Sequence, residues 1–193
     1  VQVCDPVSWE VLDDLDEAWI HPKEFFMTSQ ERFEQALESI EDELQLRLTE
    51  FDSQNKFIER HRLEQRTQYD LEMLREIGHC QAIENYSLHF DGRQPGERPY
   101  CLLDFFAACA RQFHGDPKKF LVIMDESHVT LPQVGGMYFG DKSRKDSLIE
   151  HGFRLPTAAD NRPLKMPEFQ HLVPQMVYVS ATPGERELRH LCE

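Results

Sequence analysis

Phe33, Leu37, Ile40, Leu44, Leu48 and Phe51 recur at spacings of four and three residues. At 3.6 residues per turn they form one apolar stripe, with acids and bases on the opposite side, which predicts a long amphipathic helix. Thr28-Ser29-Gln30-Glu31 fits a capping box, in which the Thr28 hydroxyl and the Glu31 carboxylate satisfy orphan amides at the helix start. Asp52-Ser53-Gln54-Asn55 breaks or bends this helix. A second stripe, Leu63, Leu71, Leu74 and Ile77, predicts another helix that ends at Gly78. Strict heptads are not sustained, so both stripes predict packing within the chain rather than a coiled-coil oligomer.

The remaining pattern has a different period. Residues 1 to 20 alternate loosely (Val1, Val3, Trp9, Val11, Trp19, Ile20) around the turn signal Asp5-Pro6, as the tail of a β-rich unit would. Opening on Val-Gln-Val, already strand-like, the chain is expected to start in mid-fold as an internal fragment. Residues 91 to 99, DGRQPGERP, are loop by composition. Phe120 to Met124 and Met176 to Val179 are short apolar runs rich in β-branched residues, and predict fully buried parallel strands. Between them, Pro132 to Pro167 is rich in Gly, Pro and Arg and is expected to be mostly loop. After the second run, Pro183 and Gly184 suggest a turn into a helix through Glu187 to Leu191.

Composition narrows the class. At 193 residues and 40% hydrophobic content the chain can bury a core. It has no apolar run near the roughly 18 residues of a membrane span, and its N-terminus is acidic where a signal peptide is basic. A soluble cytoplasmic protein with no membrane partner is expected. The five cysteines are scattered and never form C-x-x-C, so neither a disulfide framework nor a zinc site is suggested. The net charge of −14 argues against a nucleic-acid partner until its distribution is read. Residues 1 to 77 hold 20 acids and 8 Lys/Arg, a balance of −12, whereas residues 78 to 193 hold 15 acids and 13 Lys/Arg, a balance of −2. A local basic face is therefore expected in the second half and not in the first.

The strand-like runs end in chemistry. Phe120-Leu-Val-Ile-Met124 delivers Asp125 and Glu126 to the end of a strand. Two carboxylates placed there suit phosphoryl transfer, Asp125 as the magnesium ligand and Glu126 orienting or deprotonating the attacking water. An acid pair closing a strand is by itself often only solvated. The second strand ends in Ser180-Ala181-Thr182, and D-E-S-H with S-A-T, about 55 residues apart, resemble the second and third motifs of superfamily 2 helicase-like ATPases. The phosphate-binding loop G-x-x-x-x-G-K-[ST] does not occur in the sequence.

Longer stretches sharpen the likeness. Asp125-Glu-Ser-His-Val-Thr-Leu-Pro-Gln133, Gly135-Gly-Met-Tyr138, Gly140-Asp-Lys-Ser-Arg-Lys145, Gly152-Phe-Arg-Leu-Pro156, Asp160-Asn-Arg-Pro-Leu164 and Tyr178-Val-Ser-Ala-Thr-Pro-Gly184 resemble the UvrB family, the B subunits of bacterial UvrABC excision nucleases. Arg62-Leu-Glu-Gln-Arg-Thr67, Tyr69-Asp-Leu-Glu-Met-Leu-Arg75 and Ile83-Glu-Asn-Tyr-Ser87 resemble it in the same order. His79 stands where the family usually has Phe, Leu88 where it tends to have Arg, and Phe139 where Asn is usual. Residues 107 to 117 look like an insertion.

The resemblance implies an α/β fold, a partial RecA-like parallel sheet with a largely helical insert. Residues 1 to 20 would end a UvrA-binding insert, 21 to 99 would form the helical DNA-handling insert, and 100 to 193 would belong to the first RecA-like ATPase domain, with 138 to 165 contributing to a DNA channel. It implies an ATP- and Mg2+-dependent parent that verifies DNA damage in nucleotide excision repair, with UvrA, UvrC and damaged double-stranded DNA as partners. Asp125 and Glu126 would be catalytic, Asp125 also holding metal, and His128, Ser180 and Thr182 would couple nucleotide state to movement. Tyr138, Arg144, Lys145, Phe153, Arg154, Asn161 and Arg162 would contact DNA, mostly at phosphates. Without its phosphate loop the chain alone is expected to be inactive. Two alternatives stay open, the UvrA-binding module of a transcription-repair coupling factor and a non-catalytic interaction module.

Overall fold

The computed structural model describes residues 2–5, 7–17, 28–185 and 188. At the start, β1 (Gln2–Cys4) pairs antiparallel with β2 (Val11–Asp14), with a register shift between Val3 and Cys4. Asp5 closes the turn by accepting the amides of Val7 and Ser8 at 2.9 and 2.8 Å. Val1, Pro6, Trp19 and Ile20 lie outside the described residues.

Helix α1 (Gln30–Ser53) buries the predicted stripe from Leu37 to Phe51, with Phe33 half-buried beside it. Its cap is Ser29 rather than Thr28: the Ser29 Oγ accepts the Arg32 amide at 3.4 Å. The chain reverses through Asn55, in the left-handed region at φ 58°, into α2 (Phe57–Ile77), which ends on Gly78 at φ 72° as its C-terminal stripe predicts. Leu63, Leu71 and Leu74 of α2 meet Ile40, Leu44 and Phe51 of α1 in one core, closed by Cys80 just after α2 and by Ile83, Tyr86 and Phe90 from a 3-10 turn (Ile83–Tyr86) and α3 (Ser87–Asp91). Ile40 and Phe51 are fully buried, and truncating such a side chain to Ala costs about 2–5 kcal/mol.

The second half is smaller and less covered. It comprises α4 (Leu102–His114), β3 (Val122–Met124), α5 (Ser127–Glu150), a 3-10 turn (Pro156–Asp160), α6 (Met166–Leu172) and β4 (Met176–Tyr178). Strands β3 and β4 are parallel as expected, with Val122 opposite Met176 and Met124 opposite Tyr178. They are not fully buried, however: Ile123 is 66% exposed and Val177 44%. One sheet face packs through Met124 on Leu131 of α5 and Phe169 of α6, whereas the other, carrying Ile123 and Val177, is bare among the described residues, although a run apolar on both faces needs a layer on each side. Among the described residues the chain is mostly helical, and this two-stranded pair is its parallel sheet.

The expected loop from Pro132 to Pro167 is corrected by α5, a 24-residue helix that runs through Pro132, Gly135, Gly136 and Gly140. Gly135 serves packing: a Cβ there would stand 3.3 Å from Met166 Cε of α6. The chain turns at Gly152, where φ is +71° and a Cβ would fall 2.2 Å from the Glu59 carbonyl oxygen. Only glycine admits both that backbone and that approach. Arg62 Nη1 donates to the His151 carbonyl at 2.6 Å, and Leu155 enters the helical core, so the end of α5 is fastened to α2. Among the described residues no helix is long and apolar enough to cross a membrane. Of the expected helix at Glu187 to Leu191, Leu188 is described, helical with its amide on the Gly184 carbonyl at 3.1 Å, and the other positions lie outside the described residues.

Candidate nucleotide and nucleic-acid sites

Parallel pairing continues past the strands, with the Val179 amide donating to Met124 O at 2.9 Å and the Ser127 amide to Val179 O at 3.0 Å. This sets Asp125 and Glu126 beside Ser180. Only two residues separate β3 from α5, and Glu126 absorbs the sharp turn in the left-handed region at φ 45°, ψ 49°, which costs a non-glycine residue about 1–2 kcal/mol. The turn is held by the Glu126 amide on Asp125 Oδ1 at 2.9 Å, the Thr130 hydroxyl on Asp125 O at 3.0 Å, and the Val129 and Thr130 amides on Glu126 O. Both carboxylates are exposed.

The His128 ring joins the two motifs. Its Nδ1 lies 2.7 Å from Ser180 Oγ and 3.4 Å from Glu126 Oε2, and its Nε2 lies 3.3 Å from Thr182 Oγ1. Thr182 N donates to Ser180 Oγ at 3.1 Å. A magnesium ion normally keeps several waters and takes one or two carboxylates plus substrate phosphate oxygens. Exposed Asp125 and Glu126 fit that mode. Among the described residues there is no cluster of three or more His, Cys, Asp or Glu that would make an all-protein cage.

The residues expected on DNA do not form one surface. Arg144 is exposed, 3.2 Å from Asp141. Lys145 points inward, with its ammonium on Asp141 Oδ2 at 2.9 Å and on the Asn161 carbonyl. Arg162 is held bidentate by Glu168 at 2.8 and 2.9 Å. Its guanidinium and the Lys165 ammonium lie 5.4 and 5.0 Å from the Tyr138 ring centroid. That Arg162 hydrogen bond is the main cause that pulls the Glu168 carboxyl down to about 2. Arg98 does the same to Asp104, also down to about 2.

Phe153 and Arg154 sit elsewhere, with Arg62, Gln65, Arg66 and Tyr69 of α2, around an open groove of about 420 Å³. The Arg62 guanidinium stacks on Phe153, 4.2 Å from its centroid. Three guanidinium groups and two aromatic rings with no lining carboxylate form a surface suited to a phosphate backbone with stacked bases. Charge counting missed it: the groove draws two arginines from the first half, read above as unable to carry a basic face. The signal was in the spacing, since Arg62, Arg66 and Tyr69 recur at four and three residues on the side of α2 away from Leu63, Leu71 and Leu74.

Residues 31–92 match the family model described as the UvrB third helical domain. Along nearly its whole length the chain is similar to proteins named UvrABC system protein B. It is 53% identical to that of Chlorobium phaeobacteroides over 189 residues, 98% of this chain and 26% of that protein. Identity is 52% over 186 residues with that of Carboxydothermus hydrogenoformans, covering 96% and 27%. With that of Methanothermobacter thermautotrophicus it is 55% over 182 residues, covering 94% and 27%. The chain thus spans about a quarter of the length of these relatives. With the helical hairpin matching one family domain and the flanking segments aligned across the acid pair and S-A-T, the chain belongs to the UvrB family as a segment of it.

Proposed function

We propose that the chain carries one end of a nucleotide site and one wall of a DNA channel in an ATP-dependent B subunit of an excision nuclease. UvrA would deliver that subunit to damaged double-stranded DNA, and UvrC would cut after it, in the cytoplasm. Residues 1 to 20 would close a UvrA-binding insert, 21 to 99 form the helical insert, and 100 to 193 belong to a RecA-like domain, with the bare face of β3 and β4 covered by its further strands.

The observation that carries the reading is the His128 ring bridging Glu126 to Ser180 and Thr182. In this reading bound Mg-ATP supplies the phosphoanhydride and the metal charge. Asp125 would hold the metal, Glu126 would orient and deprotonate the attacking water, and His128 would pass any shift of Glu126 to Ser180 and Thr182, just after β4. Of the sequence-expected DNA contacts, Phe153 and Arg154 are supported by the groove, where Arg62, Gln65, Arg66 and Tyr69 join them; Tyr138, Arg144 and Asn161 do not line it. For Lys145 and Arg162 the ion pairs favour a structural role.

The test is Glu126→Gln in a full-length protein carrying this segment. Loss of a general base lowers DNA-stimulated ATP turnover by about 10²-fold or more, with DNA affinity kept. Turnover within twofold of wild type would refute the assignment. The isolated chain turns over no ATP, and its groove binds DNA without nucleotide.

A further inference from the structure

Asp70 is the one carboxylate among the buried residues of the described chain, 2% exposed on the inward side of α2. Its Oδ2 accepts Arg66 Nε at 3.0 Å and the Tyr86 hydroxyl at 2.8 Å, whereas Oδ1 is buried with no hydrogen-bond partner among the described residues. Burying a carboxylate is costly, and satisfying one oxygen only leaves part of that cost in place. A core serving packing alone has no use for it. Burial, and next the charge of Asp70, push the Tyr86 phenol well above its usual range, so it stays a neutral donor.

Arg66 is the other end of this arrangement. Its side chain is one-third exposed and lines the groove with Arg62 and Phe153. Nε is taken by Asp70, and Nη2 donates to the Gln81 carbonyl at 3.2 Å. An arginine otherwise free about four rotatable bonds is thereby fixed at two of its three nitrogens, and the entropy of ordering it is spent before a ligand arrives.

We propose that Asp70, seated on Tyr86, is a positioning residue that presents Arg66 to a nucleic-acid phosphate in the groove. The inference rests on the groove reading above. Asp70 touches no ligand and acts only through the arginine.

The test is anisotropy titration of a fluorescein-labelled single-stranded oligonucleotide with the chain over a series of KCl concentrations. Arg66→Ala weakens binding about tenfold and lowers the slope of log Kd against log salt by about one, as loss of one phosphate contact does. Asp70→Asn weakens binding about three- to tenfold with the same direction of slope change, and adds nothing in the Arg66→Ala background. Tyr86→Phe, which removes only the seat, gives a smaller loss of the same kind and covers the case in which Asp70→Asn does not fold. A structural role alone would lower Tm and leave the salt slope unchanged. Unchanged affinity in both Asp70→Asn and Tyr86→Phe, or losses that add to that of Arg66→Ala, would overturn the inference while Arg62→Ala and Arg154→Ala still weaken binding. If those two arginine variants also bind as wild type, the groove reading itself falls.

Discussion

Gly152→Ala tests the joint that fastens α5 to the helical hairpin. At φ +71° an alanine costs about 1–2 kcal/mol. The added Cβ would fall 2.2 Å from Glu59 O and 2.8 Å from Glu59 C and Cα, all backbone atoms on the first turn of α2. No rotamer relieves that clash, so the turn must withdraw by an ångström or more. Withdrawal stretches the 2.6 Å bond from Arg62 to the His151 carbonyl and drags at buried Leu155, which adds about 1–3 kcal/mol as overpacking. The expected loss is about 2–5 kcal/mol, read as a lower urea midpoint at an unchanged m-value. Because Phe153 is the next residue, DNA affinity of the folded variant falls too. Gly136→Ala is the internal control, since an added Cβ there meets nothing within 4 Å on helix α5; it is expected to stabilise by about 0.5–1 kcal/mol. A Gly152→Ala protein as stable as wild type would refute the docking of α5 on α2.

The other consequences are more local. Glu168 is held at about 2 in the fold, from an ordinary 4.5; its contribution is present above the unfolded value and lost as pH falls toward 2. Glu168→Gln should therefore lower Tm at pH 6 more than at pH 2.5, and parallel Tm–pH curves for the two proteins would exclude the Arg162 pair as a source of stability. Lys145→Ala leaves the Asp141 carboxylate, 17% exposed, with only the exposed Arg144 at 3.2 Å and should cost about 1–3 kcal/mol, whereas Arg144→Ala should leave Tm alone; the reverse in thermal melts would return Lys145 to the surface. Ser127 is fully buried and its hydroxyl has no hydrogen-bond partner among the described residues, so Ser127→Ala should hold or raise Tm by the equivalent of about 1 kcal/mol, and a clear drop would mean that the hydroxyl has a partner.

The parts of the fold that were legible in sequence are those with a sustained period. The α1 stripe, the break near Asn55 and the Gly78 stop follow from local rules, because each is decided by neighbours within a turn or two; the parallel direction of β3 and β4, whose partners Val122 and Met176 are far apart in sequence, was legible instead from two runs apolar on both faces. Helix α5 was not legible. It buries little beyond Ser127, Leu131 and Lys145, so it shows no stripe, and its Pro and Gly residues read as breakers although Gly135 and Gly152 serve close packing. The arginine pairs show the same limit. Arg98 to Asp104 and Arg162 to Glu168 share the pattern R-P-x-x-x-x-[DE], in which the acid sits at the third position of a helix and reaches back to the arginine. Six residues is too long for a helical pair and too short to suggest a tertiary one. Arg162 was therefore read as a free phosphate ligand.

The same helix joins the two candidate sites. Helix α5 begins at Ser127, directly after the acid pair, and ends at Glu150, three residues before Phe153 on the groove. At 1.5 Å per residue its 24 residues make a rod of about 36 Å. Its far half is stiffened by Lys142 on Asp146 at 2.5 Å and by Lys145, which ties Asp141 to the Asn161 carbonyl. Under the proposed function this rod would carry a displacement of Ser127 or Glu126 toward Gly152, with Pro132 in its near half as the point at which it would bend instead. At Gly152 it meets backbone contact with α2, the element that supplies Arg62, Arg66 and Tyr69. Coupling between nucleotide and DNA then requires no chain of side-chain contacts across the core, only that the glycine joint stay tight. Gly152→Ala therefore bears on more than stability: loosening that joint removes the mechanical stop against which the rod would push.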